Sequence, residues 1–326
     1  MSRVLVTGAG GFIGSHLVER CVELGHDVTA FLHYNSMGRR GWLEHSPALA
    51  TSKVTFFAGD VRDFDSVFNA AKGCDSVFHL AALVGIPYSY ESPLAYIRTN
   101  VEGTYNVLQA ARVLKINNVV ITSTSETYGS AQYVPIDEKH PLVGQSPYSA
   151  SKIGADQMAI SYHRSFGLGV KVARPFNTYG PRQSARAIIP TIISQILAGK
   201  TDIKLGSLRP TRDLTFVKDT VEGFLEIHRS NDARGEVVNI GNNEEISIGE
   251  LAKLIGDLMN VSLRISSDEK RIRPALSEVE RLKCDNSKIL EMSAWKPKFT
   301  LEAGLLNTIQ WLTSHLHLYE PEKYSV

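Results

Sequence analysis

Val4-Leu5-Val6-Thr7-Gly8-Ala9-Gly10-Gly11-Phe12-Ile13-Gly14 opens the chain as an apolar strand, a glycine turn and the first residues of a helix. Glycines at 8, 11 and 14 let the backbone turn sharply and let a pyrophosphate sit on the helix N-terminus. The spacing is Gly-x-x-Gly-x-x-Gly rather than Gly-x-Gly-x-x-Gly, because position 13 is Ile. A glycine triplet alone is weak evidence and a plain tight turn is the alternative reading. The strand before it and the helix after it favour a dinucleotide site.

Working outward, short apolar runs alternate with helical patterns. Strands are expected at Asp27–Leu32, Val54–Ala58, Ser76–Leu80, Asn118–Thr122 and Gly169–Arg174, with helices over Gly14–Leu24, Asp65–Lys72, Leu94–Leu114 and Pro147–Phe166. Buried strands spaced by crossover helices predict an α/β fold with a doubly wound, parallel Rossmann sheet. After Pro175 the rhythm loosens. A helix (Val217–His228), a strand (Glu236–Ile240) and two further helices (Ile248–Met259, Leu301–Ser314) suggest a smaller, discontinuous C-terminal substrate lobe. The expected division is 1–178 for the Rossmann part, with returns near 213–240, and mainly 179–326 for the lobe.

The chain has 326 residues, enough for a large core, and 35 basic against 34 acidic residues, so no polyanion-binding surface is implied. Cys21, Cys74 and Cys284 lie outside any metal spacing and fit buried thiols of a reduced, cytoplasmic protein. The longest oily stretch, Ala187 to Ala198, is broken by Pro190 and Gln195 and cannot span about 30 Å of hydrocarbon. With the first strand beginning at Val4, no secretory leader is expected. Neither nucleic acid nor membrane is an expected partner.

The chemistry concentrates in two segments. Val119-Val-Ile-Thr-Ser-Thr124-Ser125-Glu126 ends a buried strand with a hydroxyl and a carboxylate, and Tyr148-Ser-Ala-Ser-Lys152 places a phenol and an amine one helical turn apart. Tyr-x-x-x-Lys alone is a poor signal: Tyr319 to Lys323 matches it in a charged tail. Tyr148 follows Pro147, a natural first-turn residue, and a nearby ammonium lowers a phenol that ordinarily titrates near ~10. A carboxylate beside this pair suggests that a proton is also removed from carbon. At the cofactor end, Gly59-Asp60-Val61 and His79-Leu80-Ala81-Ala82 end later strands, with Asp60 placed at adenine and Ala81 and Ala82 at the nicotinamide floor. His79, in an apolar strand, reads as a core residue. The second strand ends at His33 and Tyr34 without an acid for the adenosine ribose; Arg39 and Arg40 follow and read equally well as surface charge. NAD is the favoured cofactor and NADP the alternative.

Gly8, Gly11, Gly14, Asp60, Asn100, Thr124, Tyr148-x-x-x-Lys152 and Arg174-Pro-Phe-Asn177, in this order over nearly the whole chain, resemble the extended short-chain dehydrogenase/reductase family of nucleotide-sugar enzymes. The resemblance implies cofactor contacts from Gly8, Gly11, Phe12, Ile13, Gly14, Asp60, Val61, Leu80, Ala81, Ala82, Asn100, Tyr148 and Lys152. Thr124-Ser125-Glu126 is similar to GDP-mannose dehydratases and UDP-glucuronate decarboxylases, whereas simple 4-epimerases of the family lack the carboxylate. Arg273 to Lys288 resembles the nucleotide-binding segment of GDP-mannose dehydratases. Gly144 to Tyr148 and Phe176 to Pro190 look like the dehydratase branch of legionaminic acid biosynthesis, which takes a nucleotide-activated N-acetylglucosamine.

The implied function is a 4,6-dehydratase acting on a nucleotide hexose, best UDP- or GDP-N-acetylglucosamine. Thr124, Ser125, Glu126, Tyr148 and Lys152 are its catalytic group, and NAD stays bound and is regenerated each turnover. The alternatives are a UDP-glucuronate decarboxylase, a 4-epimerase, or a non-catalytic nucleotide sensor. For a diphosphate, the arginine candidates are Arg182, Arg186, Arg209, Arg212 and Arg273, about half of them expected to be solvated loop charges. Arg212 leads, with Arg186, Arg273, Asn177 and Glu278 completing the expected substrate site. The family also implies a homodimer through a four-helix bundle.

Overall fold

Every apolar run expected to form a strand in the first half is a strand in the computed structural model, which describes residues 2–267 and 274–319, and all but the edge strand Val54–Gly59 are mostly buried. These strands are β1 (Arg3–Thr7), β2 (Asp27–His33), β3 (Val54–Gly59), β4 (Ser76–His79), β5 (Val119–Thr122) and β6 (Val170–Pro175). With Val237–Ile240 they form one seven-stranded parallel sheet in the order β3-β2-β1-β4-β5-β6-(Val237–Ile240). The order reverses between β1 and β4, which pair from Val4 against Ser76 to Thr7 against His79. In such sheets the crevice beyond the carboxyl ends at the reversal point is the ligand site.

Both faces of the sheet are covered, so the strands have few polar positions. Leu17 and Val18 of α1 (Phe12–Glu23) share one core with Phe224 and Val238. On the other face Val67 of α2 (Phe64–Ala71), Leu108 and Ala111 pack with Ala159 and Val172.

The helix expected over residues 94–114 arrives in parts. After α3 (Ile86–Glu91) comes α4 (Pro93–Tyr96), then a π-helical turn, Ile97–Glu102, then α5 (Gly103–Leu114). Such wider turns occur mainly where a side chain has a special task. Here the buried residue of the turn is Asn100. Helix α6 (Pro147–Phe166) follows local rules throughout. Ser146 caps it by accepting from Ser149 N at 3.1 Å, Pro147 occupies the first turn, and Gly167 ends it with φ 67°.

Beyond β6 the chain leaves the sheet and returns. Asn177–Tyr179 pairs in parallel with Leu214–Phe216, the helix Val217–Arg229 packs against α1, and Val237–Ile240 completes the sheet. Between these, the oily stretch is the helix Ile188–Leu197, whose Ile192 and Ile193 form a separate core with Leu251, Ile255, Leu305 and Leu312. Among the described residues no helix is long and apolar enough to cross a membrane. The three cysteines are buried and unpaired.

Candidate active site

A cleft of about 1280 Å³ opens at the reversal point and runs from the glycine turn to the second-half elements. Single-ligand pockets are about 300–1,000 Å³, so it has room for a dinucleotide and a second nucleotide together. Its wall holds every expected site residue except Asn100 and Arg273. Arg273 lies outside the described residues.

The glycine turn is a cradle that side chains would fill. Gly8 has φ +68°, and a Cβ there would meet Ala81 N at 2.7 Å; one at Gly14 would meet Gly8 O at 2.2 Å. Helix α1 starts at Gly11 with no side-chain cap, so its first-turn N–H groups are left to an anion in the cleft. Phe12, Ile13, Leu80, Ala81 and Ala82 complete this wall, with Val61 beside Asp60. Asp60 is held by Arg62, whose Nε donates to both its oxygens at 3.0 Å, and this keeps the carboxyl below the usual range. At the adenosine end no acid closes β2: His33, Asn35, Arg39 and Arg40 line the cleft, with the Arg40 guanidinium 4.2 Å over the Phe56 ring. These residues fit a dinucleotide.

Asn100 is behind this wall. Its Oδ1 accepts from Leu83 N at 2.9 Å, and its Nδ2 donates to Leu83 O at 3.0 Å and to Ser151 Oγ at 2.9 Å. Any effect on a cofactor passes through the Leu83 loop that it pins to α6. His79 is also structural, between Thr7 Oγ1 at 2.8 Å and Thr104 Oγ1 at 3.2 Å, and burial pushes its imidazole down to about 3.

The reactive groups converge because three elements end together. β5 runs into a short 3₁₀ turn, Ser125–Tyr128, capped by Thr124, whose Oγ1 accepts from Glu126 N at 3.3 Å. Ser149 Oγ of α6 donates to Glu126 O at 2.6 Å, fastening that turn to the helix carrying Tyr148 and Lys152. The Thr124 hydroxyl and the Tyr148 phenol face the same cleft. Burial pushes that phenol above its usual range, the Thr124 hydroxyl opposes the shift, and the Glu126 charge adds to it. Burial lowers the Lys152 ammonium, which donates to Thr122 O at 2.5 Å. Ser125 and Glu126 also face the cleft, and the Glu126 carboxylate takes no hydrogen bond or ion pair from the described residues. A carboxylate left uncommitted beside a phenol, hydroxyl and amine can take a proton from a ligand.

At the far end the arginine candidates separate. Arg212, 8 % exposed, donates to Thr211 O at 2.8 Å and pairs with Glu278 at 3.2 Å, so two expected substrate residues form one unit of the wall. Arg186 donates to Ser184 Oγ at 3.3 Å and lies so close to Gly85 that a Cβ there would meet its Nη1 at 2.2 Å. Arg182 is withdrawn into the fold, donating to Ser15 Oγ at 3.2 Å and pairing with Glu19 at 2.7 Å. Arg209 is an exposed loop charge outside the wall. Asn177 lines the cleft with a buried Oδ1 that no described protein group satisfies. Sequence reading overlooked Arg62, Gln183 and Tyr88, which also line the cleft. Only Arg62 left a local signal, two residues from Asp60.

A Rossmann sheet with Tyr148, Lys152 and Thr124 at its reversal point defines a short-chain dehydrogenase/reductase. A family model, GDP-mannose 4,6-dehydratase, matches residues 5–308. The chain belongs to that family of extended nucleotide-sugar enzymes. It is 32% identical over 327 residues to the dTDP-glucose 4,6-dehydratase of Streptomyces antibioticus, covering 98% of this chain and 95% of the relative. It is 34% identical over 319 residues to the UDP-N-acetyl-alpha-D-glucosaminuronate decarboxylase of Bacillus cytotoxicus, covering 95% and 97%. Among solved structures, the NAD-bound dTDP-glucose 4,6-dehydratase DesIV of Streptomyces venezuelae superimposes with TM-score 0.88 at 31% identity, covering 98% and 100%. Sugar-nucleotide 4-epimerases match as well.

Proposed function

We propose that this chain is an NAD-dependent nucleotide-sugar 4,6-dehydratase that forms a 4-keto-6-deoxy sugar. The reading is carried by Glu126, an uncommitted carboxylate on the turn that Thr124 caps, facing the same cleft as Tyr148 and Lys152. Thr124 orients the C4 hydroxyl and Tyr148 takes its proton, with Lys152 supplying positive charge from the next turn. NAD, which the Gly8–Gly14 turn, Asp60 and the Leu80–Ala82 wall would hold, would supply a hydride acceptor for C4 and the hydride for C6, and when oxidised a positive charge that favours the Tyr148 phenolate. The 4-ketone acidifies C5–H, which Glu126 removes as general base. Ser125 is a poor acid at working pH, so protonated Glu126 gives its proton to the departing C6 hydroxyl, which leaves as water. Once hydride has returned to C6 the carbanion at C5 takes a proton that comes from solvent, while the proton held by Tyr148 is released to solvent. Arg212 with Glu278, Arg186 and Asn177 hold the nucleotide diphosphate and sugar.

UDP- or GDP-N-acetylglucosamine is the expected substrate, from the likeness of residues 144–148 and 176–190 to the legionaminic acid branch. A second reading, decarboxylation of a nucleotide-linked uronic acid, is favoured by one observation: the Arg186 guanidinium against Gly85, a fitting partner for a sugar carboxylate. The deciding experiment is mass spectrometry of products from UDP-, GDP- and dTDP-hexoses, N-acetylhexosamines and UDP-glucuronate, with NAD in catalytic amount. Loss of water from a neutral hexose supports the dehydratase. Loss of carbon dioxide from the uronate alone, or an isomer of unchanged mass, refutes it.

The protein is also expected to work in the cytoplasm as a homodimer. Leu94, Ile97, Tyr105 and Phe166 leave apolar surface exposed on the α4–α6 region, as a bundle with a second copy needs. Light scattering at micromolar concentration should give twice the chain mass; a monomer would contradict the dimer.

A further inference from the structure

Arg182, expected from sequence at the diphosphate, lies outside the cleft wall and is 6 % exposed. Its backbone has φ 70°, in the left-handed region that side chains rarely adopt. Its Nη2 donates to Glu19 Oε1 at 2.7 Å and its Nη1 to Ser15 Oγ at 3.2 Å, both on α1. Pro181 O accepts a third bond from the same helix, from His16 Nε2 at 3.1 Å. Arg182 Nε is buried and meets no acceptor among the described residues. A buried ion pair adds little net stability, and a strained φ and an unmet donor both subtract from it. Stability alone is a poor reason for an arginine here.

The two elements that Arg182 joins supply a better one. Helix α1 starts at the glycine turn and presents its uncapped first turn to the cleft. Arg182 stands at the root of residues 183–187, of which Gln183, Ser184, Arg186 and Ala187 line the same cleft. That segment is braced from within. Gln183 N donates to Gly180 O at 3.2 Å, Ala187 N to Ser184 O at 2.9 Å, and Arg186 Nε to Ser184 Oγ at 3.3 Å. A shift at the root is therefore carried to the Arg186 guanidinium. A second tie runs in the same direction. Tyr319 Oη donates to Gln183 O at 2.8 Å, its ring faces Trp42 at 6.3 Å, and Trp42 N donates to Gly10 O at 2.9 Å.

We infer that Arg182 is a positioning residue for the nucleotide sugar: it fastens residues 183–187 to the cofactor helix and so fixes the Arg186 guanidinium relative to the dinucleotide. This rests on the role given above to Arg186. Arg182 itself touches neither ligand and acts only through that placement.

Arg182→Asn tests it, because asparagine tolerates the left-handed backbone while losing the guanidinium. With NAD saturating, KM for the nucleotide sugar turned over best in the panel above should rise about tenfold, the loss of one charge-assisted contact. The kcat should change by less than about twofold, since the reacting groups are untouched. Arg182→Lys, which can still meet Glu19, should recover most of the loss. If the unpaired Glu19 carboxylate unfolds the single variant, Glu19→Gln/Arg182→Asn removes both charges and should show the same raised KM. Hydrogen exchange of the NAD-bound protein reads the anchor with no sugar present. The Gln183 and Ala187 amides should exchange faster in Arg182→Asn while α1 keeps its protection. A merely structural residue would lower Tm and leave KM and those amides unchanged, and that result would overturn the inference. Epimerisation and decarboxylation also begin with oxidation at C4, so an enzyme giving either product refutes the proposed dehydratase and still shows the KM split. If the native protein turns over no nucleotide sugar, the proposed function falls and the amide exchange alone decides whether Arg182 holds the segment.

Discussion

Glu126→Gln will oxidise its sugar at C4 and then stall. The glutamine keeps the shape of the side chain and leaves the Thr124 cap and the Ser149 bond to its carbonyl intact, since both act on the backbone. Only the base is removed, which typically costs about 10²–10⁴ in rate. Single-turnover absorbance should therefore show reduced nicotinamide forming at near-native speed and persisting, with little 4-keto-6-deoxy product. A mutant that dehydrates at the native rate would take Glu126 out of the reaction and strengthen the epimerase reading.

Tyr148→Phe should have a loss of the same order, about 10²–10⁴, at the earlier step. The ring sits edge-on to Tyr96 at 6.2 Å and is 7 % exposed, so phenylalanine retains its packing and only the acid–base hydroxyl goes. Neither reduced nicotinamide nor product should accumulate, while nucleotide-sugar affinity, measured by calorimetry, should change little. Together the variants order the reaction: Tyr148 blocks before the ketone exists, Glu126 after it. Equal burst amplitudes in both would contradict that order.

The parts of this site legible from sequence are those built by neighbours in the chain. The glycine turn, the capped start of α6 and the Tyr148–Lys152 spacing follow from backbone sterics and helix period, and strands buried on both faces announce themselves by composition. What was hidden depends on distant partners. Whether Arg182 meets a ligand depends on Glu19, 163 positions away. Arg212 and Glu278 were read as separate contacts because nothing local joins residues 66 apart. Asn100 lies in an order of motifs that suggests cofactor binding, yet the π turn aims its amide at Leu83 and Ser151. The short helices at Ile86–Glu91 and Ser287–Met292 span too little chain for a period to show.

The central claim is that a proton leaves C5 to Glu126 and water leaves C6. It is tested most directly by running the native enzyme in heavy water with its best nucleotide sugar and examining the product by mass spectrometry and proton NMR. The account predicts a product lighter by one water, carrying solvent deuterium at C5 and a C6 methyl whose third hydrogen came from C4. A product of unchanged mass with hydrogen retained at C5, or one that has lost carbon dioxide, would contradict it.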